Sequence, residues 1–453
     1  MNLKNKNVLV MGMGISGVSI VKALDTLGAN ISINDIKTKN ELKESLEGIE
    51  GVQFTSYLGG EYPNLENIDL ILKSPGIKPG NEILVDARKR NIKITNDIEI
   101  GSETSDSNNI IAVTGTNGKT TTTTIVSEIL RNNRFNTYTG GNIGKSILLD
   151  MLKSKKEDVF LLETSSFQLE DTINFKPKIS LILNITEDHL DWHGSFNNYL
   201  EAKKKVFKNQ TQEDYTILNY DDKILRSFQE EIKSNIVWFS LESKLRRGIF
   251  IKNGNIIINL EGEEVNFLST DKLLLKGKHN LENILASIAV SILMEVPLNN
   301  IKETIINFKG VEHRLEFVGE KAGRKFYNDS KGTNIMSSLK AIGAIDGPIT
   351  LIAGGYDKGI EFDEYIKGFN GKVETMILLG QTSNKLYKTA KKYNFNDVFL
   401  VESIDEAVNL AFNISETGSS ILLSPACASW GMFKNFEERG KLFKDKVHSL
   451  GDV

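Results

Sequence analysis

One cysteine, Cys427, is all that the 453 residues contain. An intramolecular disulfide framework is therefore excluded, and a reducing compartment, the cytoplasm, is expected. Long hydrophobic runs are missing too. No apolar stretch approaches membrane-spanning length, and the opening residues MNLKNKNVLVMG lack the apolar core of a secretory leader, so no membrane association is expected. Charge of one sign is scarce. The 55 Lys and Arg residues face 59 Asp and Glu, a formal net charge of -4, which argues against a general nucleic-acid or anionic-membrane binder. No solenoid-length repeat and no long low-complexity segment is present. What remains, 40% apolar and 25% charged residues, is a globular composition in a chain too long for one core, so two or three domains are expected.

The most informative stretch that is present runs from Ile110 to Thr124. A β-branched apolar run (Ile110, Ile111, Ala112, Val113) stops at a glycine-containing turn, and a helical segment follows. This is the strand–loop–helix layout of a phosphate-binding loop. Gly115 and Gly118 let backbone N–H groups turn onto phosphate oxygens, and the helix N-terminus adds partial positive charge. Lys119 reaches toward terminal phosphates, and the Thr120 hydroxyl is placed for Mg²⁺. The match to G-x-x-x-x-G-K-[ST] is imperfect, because Val113 stands where the first glycine belongs and Gly115 takes its part in a tighter TGTNGKTT loop.

Before this loop, Val8 to Met11 predict a buried strand, GMGISG a glycine-rich turn, and Val18, Val21, Leu24 and Leu27 a helix that ends at Gly28. A second strand, Ile31 to Ile33, leads to Asp35. Alone, this reads as a dinucleotide-binding fingerprint with NAD as one candidate, or as glycines needed only for packing. Leu70 to Leu72 predict a strand ending in Ser74-Pro75-Gly76, where Pro-Gly suits a type II turn with positive φ at Gly76. The polar stretch 102–109, SETSDSNN, reads as a surface connection.

After the phosphate loop, GGNIG forms a second glycine-rich turn that carries Asn142. The strand Val159 to Leu162 ends at Glu163, and carboxylates at parallel strand ends in such domains are placed for Mg²⁺. A further strand, Ser180 to Leu183, precedes Asp188, His189, Asp191 and His193. His189 is a metal ligand or a loop hydrogen-bonder; two of only five histidines falling here favours function. The run Lys203-Lys204-Lys205 reads by default as a solvated helix face. Asn253-Gly254 predicts a hairpin. Asn280 and Asn283 share a helical face, where they read an adenine edge or act as caps. In the last third, strands at Ile349 to Ala353, Met376 to Leu379, Val398 to Val401 and Ile421 to Leu423 alternate with helical patterns and predict another α/β sheet. Cys427 reads as a packed residue rather than a nucleophile, since no activating base is evident.

Taken in order, GMGISG, SPG, TGTNGKTT, GGNIG, ETSSFQL, NITEDHLDWHG, YLEAKKKVF, GKHNLEN, EHRLE, NDSKGTN, AGGYDKG and LSPACASWGMFKNFEERG resemble the Mur ligases of peptidoglycan synthesis over nearly the whole chain, most of all the D-glutamate-adding members. Each motif alone is weak; their joint order is specific. The resemblance implies an α/β protein of three domains: N-terminal Rossmann-like (1–97), central P-loop ATPase-type (98–310) and C-terminal Rossmann-like (311–453). It implies that UDP-N-acetylmuramoyl-L-alanine and D-glutamate are joined through an acyl phosphate with conversion of ATP to ADP and phosphate, by a cytoplasmic monomer.

The resemblance further implies that Ile15, Ser16, Asp35 and Gly76 lie near the uridine diphosphate, in place of NAD, and that Asn142 contacts the substrate near the reacting carbonyl. Gly115, Thr116, Asn117, Gly118, Lys119, Thr120 and Thr121 would hold the ATP phosphates, and Asn280, Asn283, Arg314 and Asp329 the rest of the nucleotide. Lys331, Thr333, Lys358, Ser429 and Phe436 would surround D-glutamate, with the C-terminal domain closing over the nucleotide. Thr120 and Glu163 would serve one Mg²⁺; His189 and a carbamylated Lys203 would serve a second. Trp430, after Ser429, departs from the smaller apolar residue also expected there. Folate-type ligases lack a counterpart of residues 1–97, and the Asn-Pro-Arg signature of diaminopimelate- and lysine-adding ligases is absent. A P-loop switch protein is the reading from another class.

Overall fold

The computed structural model describes residues 2–142, 146–260, 262–275 and 277–451. The chain forms two compact units, Met1–Phe308 and Lys309–Val453. Three sheets organise them, two in the first unit and one in the second. Ile143 and Gly144 of the GGNIG turn lie outside the described residues.

Val8, Leu9, Val10 and Met11 are inaccessible on both faces, as in a strand between two helix layers. They belong to β1 (Asn7–Met11) at the centre of a five-stranded parallel sheet with β2 (Asn30–Asp35), β3 (Phe54–Leu58), β4 (Leu70–Lys73) and β5 (Lys93–Thr95), ordered β3-β2-β1-β4-β5. The order switches direction between β1 and β4, which opens a crevice at their C-terminal ends. The helix Ile15–Thr26 follows β1, and Gly28 supplies the left-handed residue beyond it at φ 71°.

Two local expectations are corrected in this region. The turn after β4 is closed by the Ile77 N–H donating to the Ser74 carbonyl at 3.1 Å, but Gly76 does not take a positive φ, so the turn is not type II. The Lys73 ammonium donates to the Ile77 carbonyl at 3.1 Å and fixes where the turn ends. Secondly, the polar stretch 102–109 is not all surface connection. The helix Asp97–Thr104 runs into it, started by the Asn96 side chain, which accepts from the N–H groups of Ile98 and Glu99. Tertiary contact overrides the polar composition: the buried Glu99 carboxylate accepts from the N–H groups of Ile173, Asn174 and Phe175 at 3.0, 2.7 and 3.0 Å.

The second sheet has nine strands: β6 (Ile110–Thr114), β7 (Thr137–Gly141), β8 (Val159–Glu163), β9 (Ile179–Ile182), β10 (Tyr215–Asn219), β11 (Asn235–Ser240), β12 (Gly248–Lys252), β13 (Asn255–Asn259) and β14 (Val265–Ser269). Its order is β14-β13-β12-β11-β10-β9-β6-β8-β7. Strands from β7 to β12 run parallel, and β12 to β14 form an antiparallel meander. Asn253 and Gly254 turn β12 into β13 at φ 50° and 72°, as the Asn-Gly pair predicts. β6 lies inside the sheet, so the loop that follows it is flanked by the ends of β8 and β9.

The second unit holds β15 (Glu316–Lys321), β16 (Arg324–Asn328), β17 (Ile349–Ala353), β18 (Val373–Leu378), β19 (Val398–Leu400) and β20 (Ser420–Leu423), ordered β15-β16-β20-β17-β18-β19. All pairs are parallel except β15–β16. Cys427 is buried in a core that includes Leu351, Phe362 and Leu422, which agrees with a packing role.

Candidate active site

β6 ends at Thr114 and the helix Lys119–Asn132 begins after four intervening residues, Gly115 to Gly118, which form a tight loop. Gly118 sits at φ 86°, and a Cβ there would lie 2.2 Å from Asn283 Oδ1. Only glycine fits. Asn283 is buried in the helix Lys278–Leu293 and packs on the loop; Asn280 stands one turn earlier, its N–H on the Gly277 carbonyl. The loop is pinned from its other side. Asn117 N–H donates to Asn184 Oδ1 at 2.9 Å, Thr116 N–H to the Asn184 carbonyl at 3.0 Å, and the Thr116 hydroxyl meets the Tyr199 hydroxyl at 2.9 Å. Thr120 and Thr121 are buried in the first helical turn.

Two lysines converge on one carbonyl. Lys119 Nζ donates to the Gly115 carbonyl at 2.8 Å and to that of Thr116 at 2.9 Å. Lys203 Nζ donates to the same Gly115 carbonyl at 3.1 Å and to Thr114 Oγ1 at 3.2 Å. The expected solvated face is thereby corrected for Lys203. It is 1% exposed, on the inner side of the helix Phe196–Lys204, with its ammonium over the Tyr199 ring. Burial pushes its pKa well below the ordinary lysine value. Repulsion from Lys119 adds to this, and Asp188 opposes it. Lys204 instead pairs with Glu201 and Glu231 at 2.9 and 2.7 Å.

Glu163, the last residue of β8, lies opposite Val113 on one side and Gly141 on the other. It is buried. Its Oε1 accepts from Asn142 Nδ2 at 3.0 Å, whereas Oε2 has no hydrogen-bond partner. A buried carboxylate oxygen without a donor fits a cation, and carboxylate and hydroxyl oxygens such as those of Glu163 and Thr120 are the hard donors that Mg²⁺ prefers. Among the described residues no three His, Cys, Asp or Glu side chains cluster for a metal, so the chain's own carboxylates do not complete such a site. His189 follows in a left-handed conformation at φ 52°, half-exposed, with its ring 4.7 Å from that of Phe167 and its Nε2 3.7 Å from Asp188 Oδ2. His193 is turned inward, with Nε2 3.0 Å from Ser166 Oγ.

In the first sheet the substrate candidates gather at one crevice. Asp35 Oδ2 accepts from Met13 N–H at 2.7 Å and Oδ1 from Lys37 N–H at 2.9 Å, so the acid shapes the glycine turn. Gly17 packs too closely on Gly12 for any Cβ, while Gly14 faces open space. Ile15 is exposed and Ser16 half-buried beside it; Ser74 Oγ donates to the Gly12 carbonyl at 3.0 Å and brings exposed Gly76 to the same rim.

Sequence reasoning missed one connection nearby. Lys73 and Asp171 form a buried ion pair at 2.7 Å, and Trp192 lies over the ammonium with its Nε1–H on Glu170. A lysine closing the apolar run LILK was the available signal.

The second unit gathers its candidates at the C-terminal ends of β16, β17 and β20. Asp329 accepts from Leu315 N–H at 3.2 Å and from Ser424 Oγ at 2.7 Å. Burial raises its pKa to about 6 against the pull of Ser424 and Arg314. His313 supports this loop through Asn328 Nδ2 at 2.9 Å from its Nδ1. Lys331 lies over the Phe436 ring, Thr333 N–H donates to the Lys331 carbonyl, and Lys358 lies over Trp430. Ser429 is buried. The fully buried Arg439, not anticipated from the sequence, donates to Ser330 Oγ, the Ser330 carbonyl and the Cys427 carbonyl at 3.0, 2.8 and 3.2 Å, joining the two loops.

A parallel-sheet phosphate loop with a convergent lysine pair and a strand-end carboxylate, in a chain that carries two further α/β sheets, is the architecture of a nucleotide-using α/β enzyme. Three family models match the chain: Mur ligase MurD-like, N-terminal domain, over residues 6–96; Mur ligase middle domain over 113–291; and Mur ligase, glutamate ligase domain, over 313–427. The chain belongs to the Mur ligase family. It is 45% identical to the UDP-N-acetylmuramoylalanine--D-glutamate ligase of Thermoanaerobacter sp. (strain X514), over 99% of this chain and 100% of that one. Its identity to the protein of the same name from Clostridioides difficile (strain 630) is 42%, with the same coverage. Among solved structures, the UDP-N-acetylmuramate-alanine ligase MurC of Thermotoga maritima aligns with TM-score 0.57 at 18% identity, over 98% of this chain and 99% of that one. The MurF ligase of Thermotoga maritima in complex with ADP aligns with TM-score 0.53 at 17% identity, over 92% and 95%. These two share the three-domain fold. No helix of the described residues is long and apolar enough to cross a membrane.

Proposed function

We propose that this chain joins D-glutamate to UDP-N-acetylmuramoyl-L-alanine, with conversion of ATP to ADP and phosphate, in cytoplasmic peptidoglycan precursor synthesis. The observation that carries the reading is the likeness to ligases of that name over 99% of the chain, because it spans every sheet at once. In this reading residues 1–97, 98–310 and 311–453 serve the UDP-sugar, ATP and D-glutamate in turn, and the chain works as a monomer.

The substrate carboxylate attacks the γ-phosphorus of ATP; the bond to the ADP oxygen breaks, and an acyl phosphate forms. The D-glutamate amine then attacks the acyl carbon, loses a proton, and phosphate leaves. Two anions must meet in the first step, so positive charge is needed at the loop. Lys119, the loop N–H groups of Gly115 and Gly118 and the helix start at Thr120 and Thr121 supply it. Asn142, held by Glu163, orients the substrate near the reacting carbonyl. Thr120 and Glu163 hold one Mg²⁺, and His189 with carbamylated Lys203 a second; Mg²⁺ supplies charge neutralisation on the phosphoryl oxygens. Burial favours the neutral Lys203 amine, the form that adds carbon dioxide to give a carbamate with release of one proton. Asn280, Asn283, Arg314 and Asp329 contact the nucleotide; Ile15, Ser16, Asp35 and Gly76 line the uridine diphosphate site; Lys331, Thr333, Lys358, Ser429 and Phe436 surround D-glutamate.

The test is phosphate release from ATP with UDP-N-acetylmuramoyl-L-alanine and Mg²⁺, adding D-glutamate, L-glutamate, meso-diaminopimelate or L-lysine in turn. Release with D-glutamate alone, matched by an equal amount of a heavier UDP product, is expected. Release with another acceptor would replace the amino acid in this reading, and release with none would favour an ATPase switch.

A further inference from the structure

Lys358 lies in an unusual setting for an exposed cation. Its ammonium is 5.2 Å from the centre of the Trp430 ring, and among the described residues no carboxylate stands within ion-pair distance of it. Its neighbour Asp357 is engaged elsewhere, with Oδ1 accepting from Gly359 N–H at 2.8 Å. Trp430 is 54% exposed, a large apolar surface to leave in water. Tyr356 meets it edge-on at 5.5 Å, which fixes the ring plane.

The backbone explains why these three side chains meet. Tyr356 N–H donates to the Ala428 carbonyl at 2.9 Å, and the two residues form an antiparallel bridge. Gly355 sits at φ 154°, and a Cβ there would lie 2.3 Å from the Ala428 carbonyl, so only glycine lets the loops approach. The loop after β17 and the loop after β20 are thus stapled, with Lys358 on one, Ser429 and Trp430 on the other.

An aromatic face holds an ammonium without neutralising it. A carboxylate in Trp430's place would hold Lys358 equally well and would then compete with any incoming anion. We infer that Trp430, braced by Tyr356, is a positioning residue for D-glutamate specificity: it fixes Lys358 as an uncompensated cation for a substrate carboxylate. The inference rests on the proposed function, which assigns Lys358 to D-glutamate. It adds Trp430 and Tyr356, which act through Lys358.

The test measures D-glutamate-dependent phosphate release by the full chain and its variants. In W430A the KM for D-glutamate should rise about 3- to 10-fold, as expected for loss of one cation–π contact, with kcat and the KM for ATP changed less than about 2-fold. W430F should recover most of the KM, and W430L, which keeps apolar bulk without a π face, should not. In a K358M background the W430A change should add nothing further. An unchanged KM in W430A, equal recovery by W430L and W430F, or additive effects in the double variant would each overturn the inference while leaving the ligase reading intact. A parent chain without D-glutamate-dependent release would overturn both. Trp430 is exposed, so the variants should keep the parent's urea midpoint; if W430A does not fold, the comparison of W430L with W430F decides.

Discussion

Lys203 and Lys358 carry the same side chain into opposite surroundings, one in each unit. Lys203 is sealed beside the phosphate loop, hydrogen-bonded to a backbone carbonyl and a threonine, with burial driving it toward the neutral amine. Lys358 is exposed and lies on an indole face. Desolvation disfavours charge, so the buried lysine is suited to chemistry as an amine. Solvent and an aromatic face tolerate charge, so the exposed one is suited to recognition as a cation. The default that lysines in a run face water holds for neither reason nor position at residue 203.

The largest effect expected from this contrast follows the removal of the Lys203 amine. K203R keeps a positive charge but cannot become a carbamate, and its activity should fall by about 10³-fold or more, a loss typical of essential charge-stabilising groups; phosphate release measures it. Activity within about 10-fold of the parent would show that charge, not amine chemistry, is what the pocket needs. A smaller effect is expected at the exposed lysine. K358M should raise the KM for D-glutamate by about 10- to 100-fold, as expected for loss of one charge-assisted contact. In the parent this KM should rise with added salt, because exposed charges are screened, and in K358M that dependence should weaken.

A last effect, on stability rather than on activity, concerns Asp329, the second unit's own buried ioniser. Burial raises its carboxyl from 3.8 to about 6, so the folded state favours the protonated form. The stability this supplies is complete below pH 3.8 and is lost as pH rises through about 6. D329N, neutral throughout, should show a flatter urea midpoint between about pH 4 and pH 6 than the parent, by at most about 3 kcal/mol at 1.36 kcal/mol per pKa unit. A parent profile that rises more steeply than the variant's over this range would contradict the assignment.

Much of the fold was legible because the strand-ending glycine motifs punctuate the chain. TGTNGKTT, GMGISG and Asn253-Gly254 each mark a backbone turn that only certain residues allow, and the structure places such turns there. What was not legible depends on tertiary burial. The helix Asp97–Thr104 runs into the polar stretch 102–109 and is anchored by Glu99, whose carboxylate accepts from three N–H groups far along the chain. The Gly76 turn was misread because Lys73 and its buried partner Asp171 are not visible as neighbours in the sequence. The inward turn of Lys203 reflects helix phase against the phosphate loop; the three consecutive lysines of YLEAKKKVF do not by themselves show which one turns inward, and only the family resemblance singled out Lys203. The tilted contact of the His189 ring with Phe167 and the Lys358 ammonium over Trp430 likewise join residues far apart in the sequence.

The most direct test of the contrast is ¹³C NMR of the full chain equilibrated with ¹³C-bicarbonate and Mg²⁺. One carbamate resonance, retained in K358M and absent in K203R, is the predicted result. A spectrum without a carbamate signal, or with one that survives in K203R, would contradict the claim that burial makes Lys203 a reactive amine while Lys358 stays a cation.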